Sequence, residues 1–200
     1  GKVLSWCGTA HHHPSRLKLL ELAAQFPSRM AVNDVVDRSL DVHGTCAAKY
    51  RSLGEQVRRC AYLLDIQGMG YSSRLKLLLH SGRPIFIVAR PWQEYYSRSL
   101  EPYRHFIPVK EDLSDLINRL DWADAHPQEV ADIGKTGQAF ARDHLNHAAA
   151  LIALANVISS LKERDAIEKC ETGQSRIQGN DADETLAIRP PYKHARESIM

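Results

Sequence analysis

Apolar runs that predict β-strands alternate along the chain with segments of helical periodicity. The run 61–66 stops at a glycine-containing loop, and the leucines after it lie on one helical face, at Leu75, Leu78 and Leu79. The run 84–88 is rich in β-branched and aromatic residues and lacks alternation, which is typical of a strand covered on both faces of a parallel sheet. Shorter strands are predicted at 3–6, 30–32 and 106–109.

Helical segments separate these strands and then continue to the carboxyl end. A first helix is predicted at 16–26, and Asp112 suits the cap of a helix carrying Leu113, Leu116, Ile117 and Leu120 at steps of three and four. Pro127 suits the first turn of the next helix, and apolar residues at 151–161 predict a last one. Because parallel strands need crossover connections, this order predicts an α/β domain with a Rossmann-like parallel sheet and flanking helices.

The chain changes character near its end. From about Lys162 it becomes polar and loses periodicity, and it contains Arg189-Pro190-Pro191. We therefore predict a Rossmann-like domain at 1–164, with a helical carboxyl segment, and a polar, disordered tail at 165–200. The segment 33–50 has no clear period and is assigned no element.

Composition narrows the class of protein. The 200 residues, 44% of them hydrophobic, suffice for one core, and a net charge of +2 gives no reason to expect nucleic-acid binding. No apolar run is long enough to cross a bilayer. The cysteines show no metal-ligand spacing and are expected to be buried thiols: Cys7, Cys46, Cys60 and Cys170. The start at Gly1 lacks a methionine or signal pattern, which suggests the back portion of a longer chain.

The loop after the predicted strand 61–66 carries the most chemistry. It combines two glycines, Ser72, Ser73 and Arg74 at a strand-to-helix turn, where backbone amides and a guanidinium suit phosphate oxygens. On pattern alone, a glycine turn with a serine cap and no ligand explains the same residues. A solvated basic face likewise explains the local excess of positive charge between Lys49 and Lys76.

Three other groups of residues suggest ligand or metal binding, and each also has a structural explanation. Glu94 follows the strand 84–88 and suits ribose hydroxyls, or it faces water while its aromatic neighbours pack. The run His11-His12-His13 favours an exposed loop over a metal site, because consecutive side chains diverge. The pair Asp181 and Asp183 falls in the predicted tail and favours a solvated acidic patch. No nucleophile and base signature is found.

The segment 62–76, YLLDIQGMGYSSRLK, is similar to the signature of the CAP10-like glycosyltransferases, family 90. The similarity covers roughly residues 6–161 and is specific in its middle, because several short motifs follow in the family's order. These motifs are Ser81-Gly82, Trp92-Gln93-Glu94-Tyr95-Tyr96, Leu100-Glu101-Pro102-Tyr103, 105–114 and Gly137-Gln138-Ala139-Phe140. The family's aromatic-Arg-Gly-Ser/Thr motif is matched by residues 6–9 except that Cys7 replaces its arginine, and Arg16 takes the place of a second arginine.

The resemblance implies the donor-binding, C-terminal half of a two-domain GT-B fold. Such proteins bind a nucleotide sugar, commonly UDP-linked, and need no metal or other cofactor. By the resemblance, Thr9 and Arg16 contact the diphosphate, and Glu94 is a lesser candidate for the ribose. The residues implied to line the donor site are Met69, Gly70, Tyr71, Ser72, Ser73 and Arg74.

The implied reaction is an inverting transfer to a hydroxyl of a glycan, a lipopolysaccharide or a protein. The family's catalytic base belongs to the upstream half, so the catalytic residue stays unassigned, and none of Asp34, Asp37 and Asp41 is given the role. A non-catalytic fragment or pseudoenzyme that keeps the scaffold for binding is the alternative, and a generic phosphate-binding α/β domain is a third. A bacterial cytoplasmic location, with or without membrane association, is expected, or the secretory lumen for a eukaryotic source.

Overall fold

The computed structural model describes residues 2–36 and 52–171, and the side chains of this range as far as Arg164. The chain divides into two compact units, Gly1–Val157 and Ile158–Met200. The first unit holds the sheet and the candidate site. Asp37, Asp41 and the pair Asp181 and Asp183 lie outside the described residues.

The described strands form one parallel sheet of five, which confirms the predicted α/β class. The order is β2-β1-β3-β4-β5, so the connections run in opposite directions on the two sides of the pair β1 and β3. In sheets of this order, the crevice beyond the carboxyl ends of those two strands is the usual ligand position. The strands are β1 Leu4–Gly8, β2 Met30–Asp34, β3 Tyr62–Asp65, β4 Ile85–Val88 and β5 Ile107–Val109.

Helices cover both faces of the sheet. One apolar cluster joins Leu64 and Phe86 of the strands to helices on one face, whereas Leu63 and Ile85 pack in a separate cluster with helices of the other face. Burial on both sides explains why the strands show no polar alternation. The helices are α1 Pro14–Gln25, α2 Leu53–Arg59, α3 Leu75–His80, α4 Leu116–Ala125, α5 Pro127–His144 and α6 His147–Glu171.

Two glycines bring α5 against neighbouring backbone. A Cβ at Gly134 would lie 2.6 Å from the carbonyl oxygen of Gly82, and a Cβ at Gly137 would lie 2.7 Å from that of His105. Both distances are shorter than a Cβ and another non-bonded atom tolerate, so α5 can approach this closely only with glycine at the two positions. Gly82 itself has φ +71, a conformation that side chains disfavour.

Some expectations about element boundaries are wrong. Asp112 does not cap α4: Asp115 is the N-cap, and Leu113 has φ 61 and lies in the preceding loop. Helix α6, the predicted helical carboxyl segment, spans His147–Glu171. Cys7 is a buried thiol as expected, but Cys60 is disulfide-bonded.

Within the described ranges, no helix is by itself both long enough and apolar enough to span a membrane. The consecutive helices α5 and α6 reach such a length and composition only when counted together.

Candidate functional site

An indole ring forms the floor of the crevice at the ends of β1 and β3. Trp6 is buried, and the guanidinium carbons of Arg16 and Arg74 lie 5.2 and 5.9 Å from its ring centroid. Gly8 allows this packing, because a Cβ at that position would come within 2.7 Å of the indole. Cation–π attraction therefore holds two positive charges against one indole ring.

Arg16 is fixed by backbone acceptors on both sides of the crevice. Its Nε donates to the carbonyl oxygen of Gln67 at 2.7 Å, and Nη1 donates to that of Thr9 at 2.9 Å. Nη2 donates to Ile66 at 3.3 Å. A Cβ at Gly68 would lie 3.1 Å from the guanidinium, so the glycine leaves room for it. Arg16 thereby ties the loop after β1 to the loop after β3.

Arg74 adds a second cation beside the first. Its guanidinium donates to the carbonyl oxygen of Cys7. Burial and, next, the neighbouring charge of Arg74 lower the pKa of Arg16 to about 10, against the opposing effect of Asp65. Arg16 stays charged at neutral pH. In the ranges 2–36 and 52–164, neither arginine forms an ion pair, so the positive charge over Trp6 lacks a carboxylate partner within contact distance.

The glycine loop presents an exposed surface around one buried serine. Met69 and Tyr71 are 77% and 60% exposed, whereas Ser72 is buried and its hydroxyl donates to Asp65 Oδ1 at 2.5 Å. In this conformation the hydroxyl is used by Asp65, and its part in phosphate binding stays a prediction. Ser73 is exposed, and α3 spans only six residues, so the loop 67–74 leads into a short helix with a small dipole.

Glu94 lies beside α3 and already has partners. Its Oε1 accepts from the hydroxyl of Tyr96 at 2.8 Å, and its Oε2 lies 3.4 Å from Lys76 Nζ. Burial first, and then the hydrogen bond from its hydroxyl to Glu94, raise the pKa of Tyr96. Both carboxylate oxygens are engaged, which weakens the expectation that Glu94 binds a ribose. Its aromatic neighbours do not all pack: Tyr96 is buried, but Trp92 and Tyr95 are half exposed.

A cavity of about 290 Å³ opens beyond the ends of β4 and β5, next to the start of α3. Its walls are mostly apolar, and they include the half-exposed Trp92 and the charged residue Arg90. The lining includes Leu75, Arg90, Trp92, Gln93, Ser97, Phe106 and Val109. Leu75 follows Arg74 directly, so this cavity adjoins the crevice over Trp6.

The structure brings most of the predicted site residues to one edge of the sheet. Arg16 bonds to Thr9 and to the loop 67–74, and Arg16 and Arg74 both lie against Trp6, whereas Glu94 lies next to Lys76. The sequence interpretation missed the indole floor and the buried pair of Asp65 and Arg90, 2.6 Å apart. Trp6 is identified only as part of a motif, and Asp65 is the one charged residue of the run 61–66, a signal that does not identify its partner.

The other candidates take structural roles. His11 and His12 are exposed, and His13 caps α1 by accepting from the Ser15 amide at 3.3 Å. Asp34 is buried at the end of β2 and accepts from the amide of Val36 at 2.9 Å. In the part of the chain that the structure describes, no three His, Cys, Asp or Glu side chains are grouped to hold a metal ion.

The fold of this chain is similar to that of a solved protein. In Anabaena HepE, solved in complex with UDP-glucose, the matched region covers 80% of this chain and 49% of that one, with a TM-score of 0.57 and 12% identity. This likeness shows a shared GT-B-like fold. The matched region thus corresponds to about half of a GT-B-like fold.

The family of this chain is shown by a match of its sequence. Residues 4–153 match glycosyl transferase family 90, and the chain belongs to that family. Protein O-glucosyltransferase 2 of Danio rerio is 36% identical over 84 residues, which are 42% of this chain and 17% of that protein. Protein O-glucosyltransferase 1 of Homo sapiens is 33% identical over 105 residues, which are 52% of this chain and 24% of that protein. The matched regions thus span less than a quarter of these relatives.

Proposed function

We propose that this family 90 domain binds a UDP-linked sugar, with the diphosphate held between Arg16 and Arg74 over Trp6. The observation that carries the proposal is the pair of guanidiniums on one indole, neither of which forms an ion pair with a carboxylate of the described residues. Two adjacent cations repel each other, and a diphosphate between them replaces that repulsion by two charge-assisted contacts. The relatives' names and the UDP-glucose in HepE favour a glucosyl donor.

The same arrangement suits the leaving group of a glycosyl transfer. The bond between the anomeric carbon and the β-phosphate oxygen breaks while the acceptor oxygen bonds to that carbon from the opposite face, and a base takes the hydroxyl proton. Negative charge grows on the departing diphosphate, where Arg16 and Arg74 stabilise it without a metal ion. The acceptor is a hydroxyl of a glycan, a lipopolysaccharide or a protein. Asp34 is not assigned as the base, because it is buried and accepts a hydrogen bond from the amide of Val36.

We assign the nucleobase to the cavity beyond β4 and β5. Adjacent strands lie about 4.8 Å apart, so β5 is about 10 Å from β3, a distance that a nucleoside between its phosphate and its ring can span. The apolar walls and the indole of Trp92 suit a flat ring, and Gln93 and Ser97 offer polar groups for its edge.

Titration calorimetry with UDP on the 200-residue chain tests the proposal. We expect heat and a raised melting temperature with UDP, a smaller response with ADP, and weaker binding as salt screens the two arginines. A folded chain that gives neither heat nor thermal shift at saturating UDP contradicts the proposal. Equal affinity for UDP and ADP instead supports a general phosphate-binding domain.

Replacing Trp92 by alanine tests the nucleobase assignment. We expect the affinity for UDP to fall about tenfold, as loss of a base–aromatic stack of about 1–3 kcal/mol predicts, with pyrophosphate binding unchanged. Tyr95→Ala is the control, because Tyr95 is half exposed but is not part of the cavity lining. An equal loss for UDP and pyrophosphate places the base elsewhere.

A non-catalytic binding role is the second candidate, favoured by the buried Cys7 in the place of the family's arginine. The chain alone, incubated with UDP-glucose, decides between the two. Release of glucose or its transfer to an acceptor excludes the non-catalytic role, and UDP binding without either reaction supports it for this chain.

A further inference from the structure

A carboxylate with no assigned contact to the donor lies at the end of the central strand β3. Asp65 is 0% exposed. Removing a carboxylate from water is costly unless charged and hydrogen-bonding partners replace the solvent. The partners of Asp65 therefore explain why the charge is tolerated there, and they lie in two different loops.

The two oxygens of Asp65 contact residues of different loops. Oδ1 accepts from the hydroxyl of Ser72, 2.5 Å away in the loop after β3. Oδ2 lies 2.6 Å from Nη1 of Arg90, which follows β4, and the two atoms meet as an ion pair outside hydrogen-bonding angles. Asp65 is in register with Ile87 of β4, so the pair crosses from one strand to its neighbour.

The serine contact anchors the loop that carries Arg74. Ser72 is 7% exposed, although its neighbours Tyr71 and Ser73 both face solvent. The carbonyl of Ser72 also accepts from the amide of Leu75 at 3.3 Å, at the first residue of α3. Arg74 lies between these two fixed points, so its position over Trp6 depends on the anchor.

The contact with Arg90 connects Asp65 to the cavity as well. Arg90 is largely buried and forms part of the cavity wall beyond β4 and β5. One carboxylate thus holds an element of the crevice over Trp6 and an element of the neighbouring cavity. A rigid second layer of this kind keeps binding groups in their productive geometry.

We infer that Asp65 is a positioning residue, which fixes the loop 67–74 and Arg90 so that Arg74 and the cavity wall are held ready for the donor. The inference rests on the proposed function for its ligand. Asp65 itself does not contact the donor.

Two substitutions separate anchoring from charge balance. Ser72→Ala removes the hydroxyl and leaves the pair of Asp65 and Arg90 intact, and Asp65→Asn keeps the shape and removes the charge. For each, we expect the UDP dissociation constant measured by calorimetry to rise about tenfold, the effect of a coupling of about 1.4 kcal/mol between contacting residues. Ser72→Thr retains a hydroxyl and is expected to bind within about twofold of the wild type.

A measurement without ligand reports on the loop itself. In a Trp92→Phe, Trp122→Phe background, the remaining indole is Trp6, which is 1% exposed beneath the two arginines. We expect acrylamide to quench its fluorescence more strongly after Ser72→Ala or Asp65→Asn, because a loosened loop uncovers the ring. Ser81→Ala, which removes a hydroxyl bonded to Leu78 at the other end of α3, is expected to change neither quenching nor affinity.

The outcomes distinguish this inference from the proposed function. If the wild type binds UDP, increased quenching together with weaker binding in Ser72→Ala supports the positioning role, and failure of either change overturns it. If Ser72→Ala and Ser72→Thr bind equally, the hydroxyl is not the anchor and the inference is wrong. If the wild type does not bind UDP, the proposed function fails, and unchanged quenching in the folded Ser72→Ala protein then also removes the loop-positioning role of Asp65. Ser72→Ala carries the test even where Asp65→Asn does not fold.

Discussion

Replacing Arg74 by alanine is expected to weaken UDP binding by at least about tenfold, because a charge-assisted contact to phosphate is worth about 1.5–3 kcal/mol. The side chain is held over Trp6 by the indole and by the carbonyl of Cys7, so it is oriented before the ligand arrives. Thermal stability should change little, since the substitution also removes repulsion of Arg16. Calorimetry with UDP measures the affinity, and thermal denaturation confirms the fold.

Two further variants sharpen this expectation. Arg74→Lys retains the charge but loses the planar fork and its stacking, so it should bind with intermediate affinity. Arg142→Ala removes an exposed arginine from α5 and serves as the control for net charge. An Arg74→Ala protein that binds UDP as tightly as the Arg142→Ala protein contradicts the role assigned to the crevice.

Substituting alanine for Gly134 is expected to lower the free energy of unfolding by about 2–3 kcal/mol, as overpacking against an element that cannot move predicts. The new Cβ would meet the backbone of Gly82, Arg83 and Pro84 at 2.6–3.2 Å, and backbone yields less than a flexible side chain. The expected loss exceeds the gain in helix propensity, because glycine in a helix costs only about 0.5–1 kcal/mol relative to alanine. Urea denaturation measures the difference.

Gly54 offers a matched control in another helix. A Cβ there would meet only the end of the Arg58 side chain, at 3.5 Å, which is an ordinary contact. Gly54→Ala should therefore leave stability unchanged or raise it by about 0.5 kcal/mol. Equal effects of the two substitutions would show that the packing of α5 against the segment 82–84 is not close in solution.

The strands and the glycine loop could be predicted because their signals are local. The run 61–66 is apolar, bounded by Gly68 and Gly70, and followed by leucines at helical spacing, so strand, loop and α3 were all identified. Family motifs in order predicted what kind of protein they form, and the match of residues 4–153 to family 90 confirms it. The parallel direction of the strands then follows from the helical connections between them. The order of the strands in the sheet required the structure.

Elements whose signals mix local and long-range causes were harder to predict. Leu113 has the spacing of a helical residue because it is buried in the core, but burial needs no helix, and its φ of 61 places it in a loop. The start of α2 is marked by a capping box of Ser52 and Glu55, and was missed because the segment before it has no period.

The site contains some features that could be predicted from the sequence and others that required the structure. The resemblance to the family implied that Arg16 and the glycine loop share a donor site, and in the structure β1 and β3 are neighbours, which brings the two together. The indole under both arginines depends on side-chain direction, which sequence spacing leaves open. The pairing of Asp65 with Arg90 depends on β3 and β4 being neighbours, so it required the structure.

A crystal structure of the chain with UDP tests the central claim most directly. The account predicts diphosphate oxygens within hydrogen-bonding distance of the guanidiniums of both Arg16 and Arg74, above the ring of Trp6, with the base in the cavity beside Trp92. Density for UDP that contacts neither arginine, or a crevice left empty at saturating nucleotide, would contradict it.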